Sequence, residues 1–230
     1  MTGRFLWMLA ALLTLAGCDS EAPPAAPATQ ATQAAAAQVP VSGPERHILA
    51  FGNSLFAGYN VAPEKSYPAR LQAALRARGI DASVVNAGVS GDTTQAGRAR
   101  LEFTLDAQEE VSDLVILELG GNDLLRGLPV AETRANLAAM LAELQERNIP
   151  VLLMGMRAPP NLGADYVAGF DAIYPDLAEE YGAELVPFFL ESVYDQPQLI
   201  QADRVHPTAE GIDALVAATV GDVVEALPEE

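Results

Sequence analysis

The chain has 230 residues, half of them hydrophobic, which is enough for one ordinary core without disulfide or metal staples. Its 31 acidic against 13 basic side chains give a formal charge of −18, and so large an acidic excess excludes a nucleic-acid-binding surface built on a basic patch. The one cysteine, Cys18, excludes an internal disulfide and a thiol nucleophile in the folded part.

In chain order, the first segment reads as an address label. Arg4 precedes the apolar run "FLWMLAALLTLA", which is too short to span a bilayer comfortably. The junction "LAGC" resembles the lipobox of bacterial lipoproteins, in which the cysteine is lipidated and becomes the first residue after cleavage. Residues 1–17 are then a lipoprotein signal peptide, and Cys18 carries an anchor that holds the protein on a membrane without crossing it. An ordinary secretory signal with a chance cysteine is the alternative. Asp19 resembles an inner-membrane retention signal of enteric-type bacteria. Residues 19–44, rich in Ala, Pro, Gln and Thr, have too few large apolar groups to offset the entropy of ordering, and read as a disordered tether. The folded domain is expected over 45–230.

Within it, short apolar runs alternate with helical periods. "HILAFG" (47–52), "SVVN" (83–86), "LVILELG" (114–120), "PVLLMGM" (150–156) and "AELVP" (183–187) read as strands. Several are apolar on consecutive positions, as in parallel strands covered on both faces. A helix is predicted from Ser66 to about Arg78, with Tyr67, Leu71 and Leu75 on one face and Gly79 as its stop. Another from about Ala131 to Arg147 repeats Leu137, Met140, Leu141 and Leu144. A third, about 163–181, carries Tyr166, Phe170, Ile173, Leu177 and Tyr181, with Pro175 expected to kink or split it. The last runs from Pro207, taken as its first residue, to about Leu227. The alternation predicts a three-layer α/β domain with right-handed crossovers, whose site lies beyond the carboxyl ends of the strands.

Polar residues at those ends form a constellation. Ser54 follows the first strand, Gly91 in "NAGVSGDT" the second and Asn122 in "LGGND" the third; Asp203 and His206 in "DRVHP" follow the last. A serine hydroxyl becomes nucleophilic when a base takes its proton, and histidine suits that role near neutrality. Asp203 can accept from one ring nitrogen of His206 and leave the other for Ser54. The backbone N–H groups of Ser54 and Gly91 and the amide of Asn122 could stabilise an oxyanion. His47, at the start of the first strand, belongs to the opposite edge. Structural readings stand beside these: Ser54 as a helix cap, "DTTQ" (92–95) as a capping box with Asp92 as cap and Gln95 as partner, and Asp123 as structural. Asp203 with His206 could also be a surface pair or half of a metal site, yet no cluster of His, Cys or carboxylates completes one. Phe56 stands where the final glycine of a G-x-S-x-G elbow would be, which argues against the common α/β-hydrolase fold.

The blocks "GNSL", "SGDT", "GGND" and "DRVHP", in this order, resemble the SGNH hydrolase superfamily, also called GDSL esterases, over essentially all of 45–230. The stretches "NAGVSGDTTQAGRARL", "LELGGNDLLRGL" and "IYPDLAEEYGAELVPFF" are most similar to its bacterial thioesterase/arylesterase/lysophospholipase subgroup. The resemblance implies a flavodoxin-like α/β/α sandwich with a five-stranded parallel sheet. It implies Ser54 as nucleophile, His206 as base oriented by Asp203, and an oxyanion hole from Ser54, Gly91 and Asn122. A small-molecule ester or lipid substrate is implied, and no metal or organic cofactor is expected. The chain departs from the family at Asn53, where aspartate is usual, so altered tuning near the nucleophile is expected. "DLLRGLPV" corresponds to a loop bordering the acyl-binding groove. A sugar deacetylase and a non-catalytic lipid- or sugar-binding lipoprotein are the alternatives; a nucleotide-binding module would want a glycine-rich phosphate loop, and "GNSLFAG" is a poor one.

Overall fold

The computed structural model describes residues 40–229; the signal peptide, Cys18 and nearly all of the tether lie outside the described residues. The elements run β1 (Ser42–Gly52), α1 (Ser54–Ala57), α2 (Tyr67–Arg76), β2 (Ile80–Gly88), α3 (Thr94–Asp106), β3 (Leu114–Glu118), α4 (Gly121–Leu125) and α5 (Val130–Glu146). They continue with β4 (Val151–Met154), α6 (Ala164–Asp171), α7 (Ile173–Tyr181), β5 (Glu184–Val186), α8 (Glu191–Tyr194) and α9 (Ala209–Ala226). The five strands form one parallel sheet in the order β2-β1-β3-β4-β5.

All five expected strands are present, with shifted ends. β1 starts at Ser42, ahead of the domain start set at 45, because Ser42 N–H donates to Gly79 O and ties the strand's exposed half to β2. β3, flanked by β1 and β4 and covered on both faces, is buried at every position, which is why its first four residues, Leu114 to Leu117, are all apolar.

The order explains the layers. From β1 the chain steps outward to β2, then returns across β1 to β3 and continues to β5. With right-handed crossovers, α2 falls on one face and α3, α5 and α7 on the other. The packing agrees: α2 lies against α9, while α3 meets α5 and α5 meets α7. Tyr67, Leu71 and Leu75 of α2 and Leu137, Met140, Leu141 and Leu144 of α5 are all buried, as their spacing predicts. The expected break near Pro175 is real: α6 ends at Asp171, and α7 carries Pro175 in its first turn, where a missing N–H costs nothing.

Two expected helix starts are corrected. α9 begins at Ala209, capped by Thr208, whose side chain accepts from Gly211 N. Pro207 lies outside it, because its strand-like pairing with Ile200 keeps it extended. In "DTTQ" the cap is Thr93, which accepts from Ala96 N, and not Asp92; the Asp92 carboxylate is drawn instead to Arg100, at 2.7 Å. The helix this begins, α3, has Gly97, Leu101 and Leu105 as its buried face, a stripe interrupted by arginines and too sparse to stand out in the sequence.

Candidate active site

The strand order reverses between β1 and β3, so their carboxyl ends flank a crevice. Ser54 emerges there as the first residue of α1, a single turn capped by Asn53, whose Oδ1 accepts from Leu55 N at 2.9 Å. Phe56 anchors this turn. It is fully buried, stacked on Tyr67 with centroids 5.0 Å apart and set edge-on to Phe189 at 5.7 Å. The bulky residue that breaks the G-x-S-x-G pattern is thus the wedge that fixes the serine turn against α2.

Asp203 and His206 arrive on a closed loop. Ile200 pairs with Pro207, Gln201 N–H donates to His206 O at 2.7 Å, and the Gln201 side-chain amide bonds Pro207 O and Tyr59 O. Asp203 Oδ1 accepts from the N–H groups of Val205 and His206, and its Oδ2 lies 2.8 Å from His206 Nδ1. His206 Nε2 lies 2.8 Å from Ser54 Oγ. The ring of Tyr59 covers the imidazole, 4.3 Å between centroids. Desolvation pushes the Asp203 carboxyl up, but the His206 and Val205 N–H groups and the His206 ring outweigh it and bring it down to about 2. The carboxylate is therefore ionised throughout the neutral range and fixes Nδ1 as the protonated nitrogen, leaving Nε2 to accept from the serine hydroxyl.

The three donors expected around an oxyanion are held by a second network. Gly91 has φ +89°, a left-handed conformation that favours glycine, and its carbonyl accepts from Arg126 Nη2 at 2.7 Å. Asn122 Nδ2 donates one hydrogen to Asp92 O at 2.9 Å, leaving its second for a ligand. Arg100 pins this arrangement by bonding both Asp92 and Gly52 O, with its guanidinium 3.9 Å over the Phe51 ring. Among the described residues, the backbone N–H groups of Ser54 and Gly91 have no acceptor. Asp123 is structural, as expected: it is buried and accepts from Thr94 N, Thr94 Oγ1 and Thr133 Oγ1.

Ser54, Asn122 and His206 open onto a cavity of about 250 Å³. Its walls include Leu124, Leu125, Met156, Phe188, Leu190 and Ile200, and no carboxylate contributes to the lining. Two leucines of "DLLRGLPV" thus face the cavity, whereas Leu128 lies outside the lining. His47, at the other end of β1, sits in a separate depression with Glu45 and Ser112.

Sequence reasoning missed four supporting residues: Tyr59 over the imidazole, Arg126 on Gly91, Arg100 on Asp92, and Glu118 beneath Asn53. Only Glu118 left a signal, as a carboxylate inside an otherwise apolar strand.

The GDSL-like Lipase/Acylhydrolase family model matches residues 50–214. An arylesterase of Vibrio mimicus is 44% identical over 163 residues, 71% of this chain and 80% of the relative. Thioesterase 1/protease 1/lysophospholipase L1 of Escherichia coli (strain K12) is 42% identical over 160 residues, 70% of this chain and 74% of the relative. Among solved structures, the SGNH-hydrolase family esterase AlinE4 shares 62% identity at a TM-score of 0.69, covering 82% of this chain and all of that one. The crystal structure of TesA shares 36% at 0.74, covering 79% of this chain and all of that one. With four sequence blocks meeting at one crevice and relatives matched along most of their length, the chain belongs to the GDSL-like lipase/acylhydrolase family of SGNH hydrolases.

Proposed function

We propose that the protein is a serine esterase that cleaves carboxylic esters through an acyl-enzyme, with Ser54 as nucleophile, His206 as base and Asp203 as its orienting anion. The observation that carries this reading is the continuous chain Asp203–His206–Ser54, both links at 2.8 Å, at the mouth of an apolar cavity. Ser54 Oγ attacks the ester carbonyl as its proton passes to His206 Nε2. The negative charge that develops on the carbonyl oxygen is met by the N–H groups of Ser54 and Gly91 and the free amide hydrogen of Asn122. His206 then returns the proton to the departing alcohol oxygen. Water, deprotonated by the same nitrogen, releases the acid and restores the serine.

The relatives' names include arylesterase, thioesterase and lysophospholipase. An apolar cavity of about 250 Å³ favours short-to-medium acyl groups over a sugar ring. The "LAGC" junction supports lipidation at Cys18 and a membrane-anchored, periplasm-facing protein. That address favours lipids or external esters over the cytoplasmic acyl-thioester pool. Hydrolysis of nitrophenyl esters from acetate to palmitate by the protein and by Ser54→Ala tests the chemistry. A fall of about four orders of magnitude in the variant is expected, and equal inertness of both would leave a binding module. Activity confined to acetate would favour a deacetylase. Metabolic labelling with a fatty acid, lost in Cys18→Ser, tests the anchor.

A further inference from the structure

We infer that Glu118 is a positioning residue for the nucleophile: its buried carboxyl holds the Asn53 side chain in the one orientation that caps α1 and presents Oδ1 to Ser54. The inference rests on the reading of Ser54 as nucleophile.

Glu118 is the last residue of β3, level with Gly52 of β1 in the parallel register, and it has no solvent exposure. Its side chain reaches under the serine turn. Oε1 accepts from Asn53 Nδ2 at 3.0 Å, and Oε2 lies 3.4 Å from Asn53 N. An asparagine amide has two unlike ends, and the surroundings decide which way it points. With the NH₂ end on Glu118, Oδ1 faces the other way, accepting from Leu55 N at 2.9 Å and lying 3.3 Å from Ser54 Oγ, whose single hydrogen is directed to His206 Nε2. Turned over, the amide would set its NH₂ end against the Leu55 N–H and leave that buried donor without an acceptor.

The consequence reaches the reacting atoms. The peptide joining Asn53 to Ser54 carries one of the N–H groups assigned to the oxyanion, and the Asn53 side chain caps the short turn that aims it. Ser54 Oγ sits between His206 Nε2 at 2.8 Å and Asn53 Oδ1 at 3.3 Å, so its position is bounded on two sides.

Stability alone does not account for a carboxyl at this place. Burial drives Glu118 up to about 8, against the lowering effect of the Asn53 N–H groups, and an apolar side chain of similar size would avoid that cost. Of the ionisable and charged groups on neighbouring elements, Tyr174 of α7 feels the Glu118 charge and donates to Leu119 O. Arg100 of α3 binds Gly52 O, Asp123 of α4 is taken up by Thr94 and Thr133, and His206 is reached through Ser54. None of these holds the Asn53 amide.

The test compares wild type, Ser54→Ala, Glu118→Gln and Glu118→Met on nitrophenyl butyrate, with kcat and KM separated and folding checked by circular dichroism. Glu118→Met should lower kcat about thirty-fold or more with little change in KM, since sub-ångström misplacement acts on the reacting geometry. Glu118→Gln, whose carbonyl still accepts from Asn53 Nδ2, should restore most of kcat at pH 7. A folded Glu118→Met with wild-type kcat, or parallel losses in kcat and KM for both variants, would overturn the inference. If Glu118→Met does not fold, Asn53→Ala decides, since it removes the group that Glu118 holds: a folded Asn53→Ala with wild-type kcat would overturn the inference. Wild type and Ser54→Ala equally inert would instead sink the esterase reading, which is a separate outcome.

Discussion

Replacing Glu118 with glutamine should change how the stability of the fold depends on pH. In the folded protein the carboxyl is fully buried, and desolvation raises it from the ordinary 4.5 to about 8. Below about pH 4.5 the group is protonated in both folded and unfolded chains and contributes no pH dependence. Between 4.5 and 8 the unfolded chain gives up the proton while the folded one keeps it, so the unfolded state binds fewer protons and stability falls as pH rises. Above 8 both forms are ionised and the loss is complete. At 1.36 kcal/mol for each tenfold step, the whole displacement corresponds to roughly 5 kcal/mol, an upper bound because water reaching a loosened core would reduce it. Glutamine keeps the shape and one acceptor but has no proton to lose, so any fixed cost of its NH₂ group is the same at every pH. Urea unfolding at pH 5, 6, 7, 8 and 9, followed by far-ultraviolet circular dichroism because residues 40–229 contain no tryptophan, gives the comparison. The wild-type curve should fall relative to that of Glu118→Gln by several kcal/mol across this range, or by about 10 °C in Tm for a domain of this size. Parallel curves for the two proteins would refute the claim that Glu118 is protonated in the neutral folded state.

Further outcomes follow from the same geometry. Asp203→Asn should reduce kcat by about three to four orders of magnitude, because the amide no longer fixes the protonated nitrogen of His206; and since Asp203 in the folded protein titrates near 2, wild-type activity lost between pH 6 and 4 should not trace to this carboxylate. Phe56→Ala should cost about 3–5 kcal/mol in chemical unfolding, as expected for a fully buried aromatic wedge, and lower kcat in the fraction that remains folded. Leu125→Asp places a charge on the cavity wall and should weaken kcat/KM more for octanoate than for acetate esters, read from the chain-length series. His47→Ala, at the far end of β1, should leave nitrophenyl ester turnover within about twofold of wild type.

What the sequence disclosed and what it hid divide along physical lines. Strands covered on both faces announced themselves by composition, since every position of β3 must be apolar or specially paired. Ser54, Asn122 and His206 could be placed at one edge because strand ends in a parallel sheet all point the same way. The start of α3 was misplaced by one residue because Asp and Thr are both good caps. Only the pull of Arg100, eight positions on, takes Asp92 out of that role. The same is true of Pro207, whose local preference for a helix start yields to a pairing with Ile200. Asn53 was legible as a departure from the family pattern, but its partner was not. The Asn53–Glu118 bond spans 65 positions, and nothing in the local composition of either segment requires the other.

The closed loop that carries Asp203 and His206 has a temporal consequence. His206 and Ser54 are separated by 152 positions, and α9, which follows the His206 loop in the chain, is tied to α2 by Arg70 with Asp213 and Tyr67 with Thr219. During synthesis the serine turn precedes its partner by 152 positions, so a polypeptide without the Asp203–His206 loop holds a serine hydroxyl with no imidazole beside it. Ester cleavage would thus double as a report that the segment holding Asp203 and His206 is in place beside the serine turn.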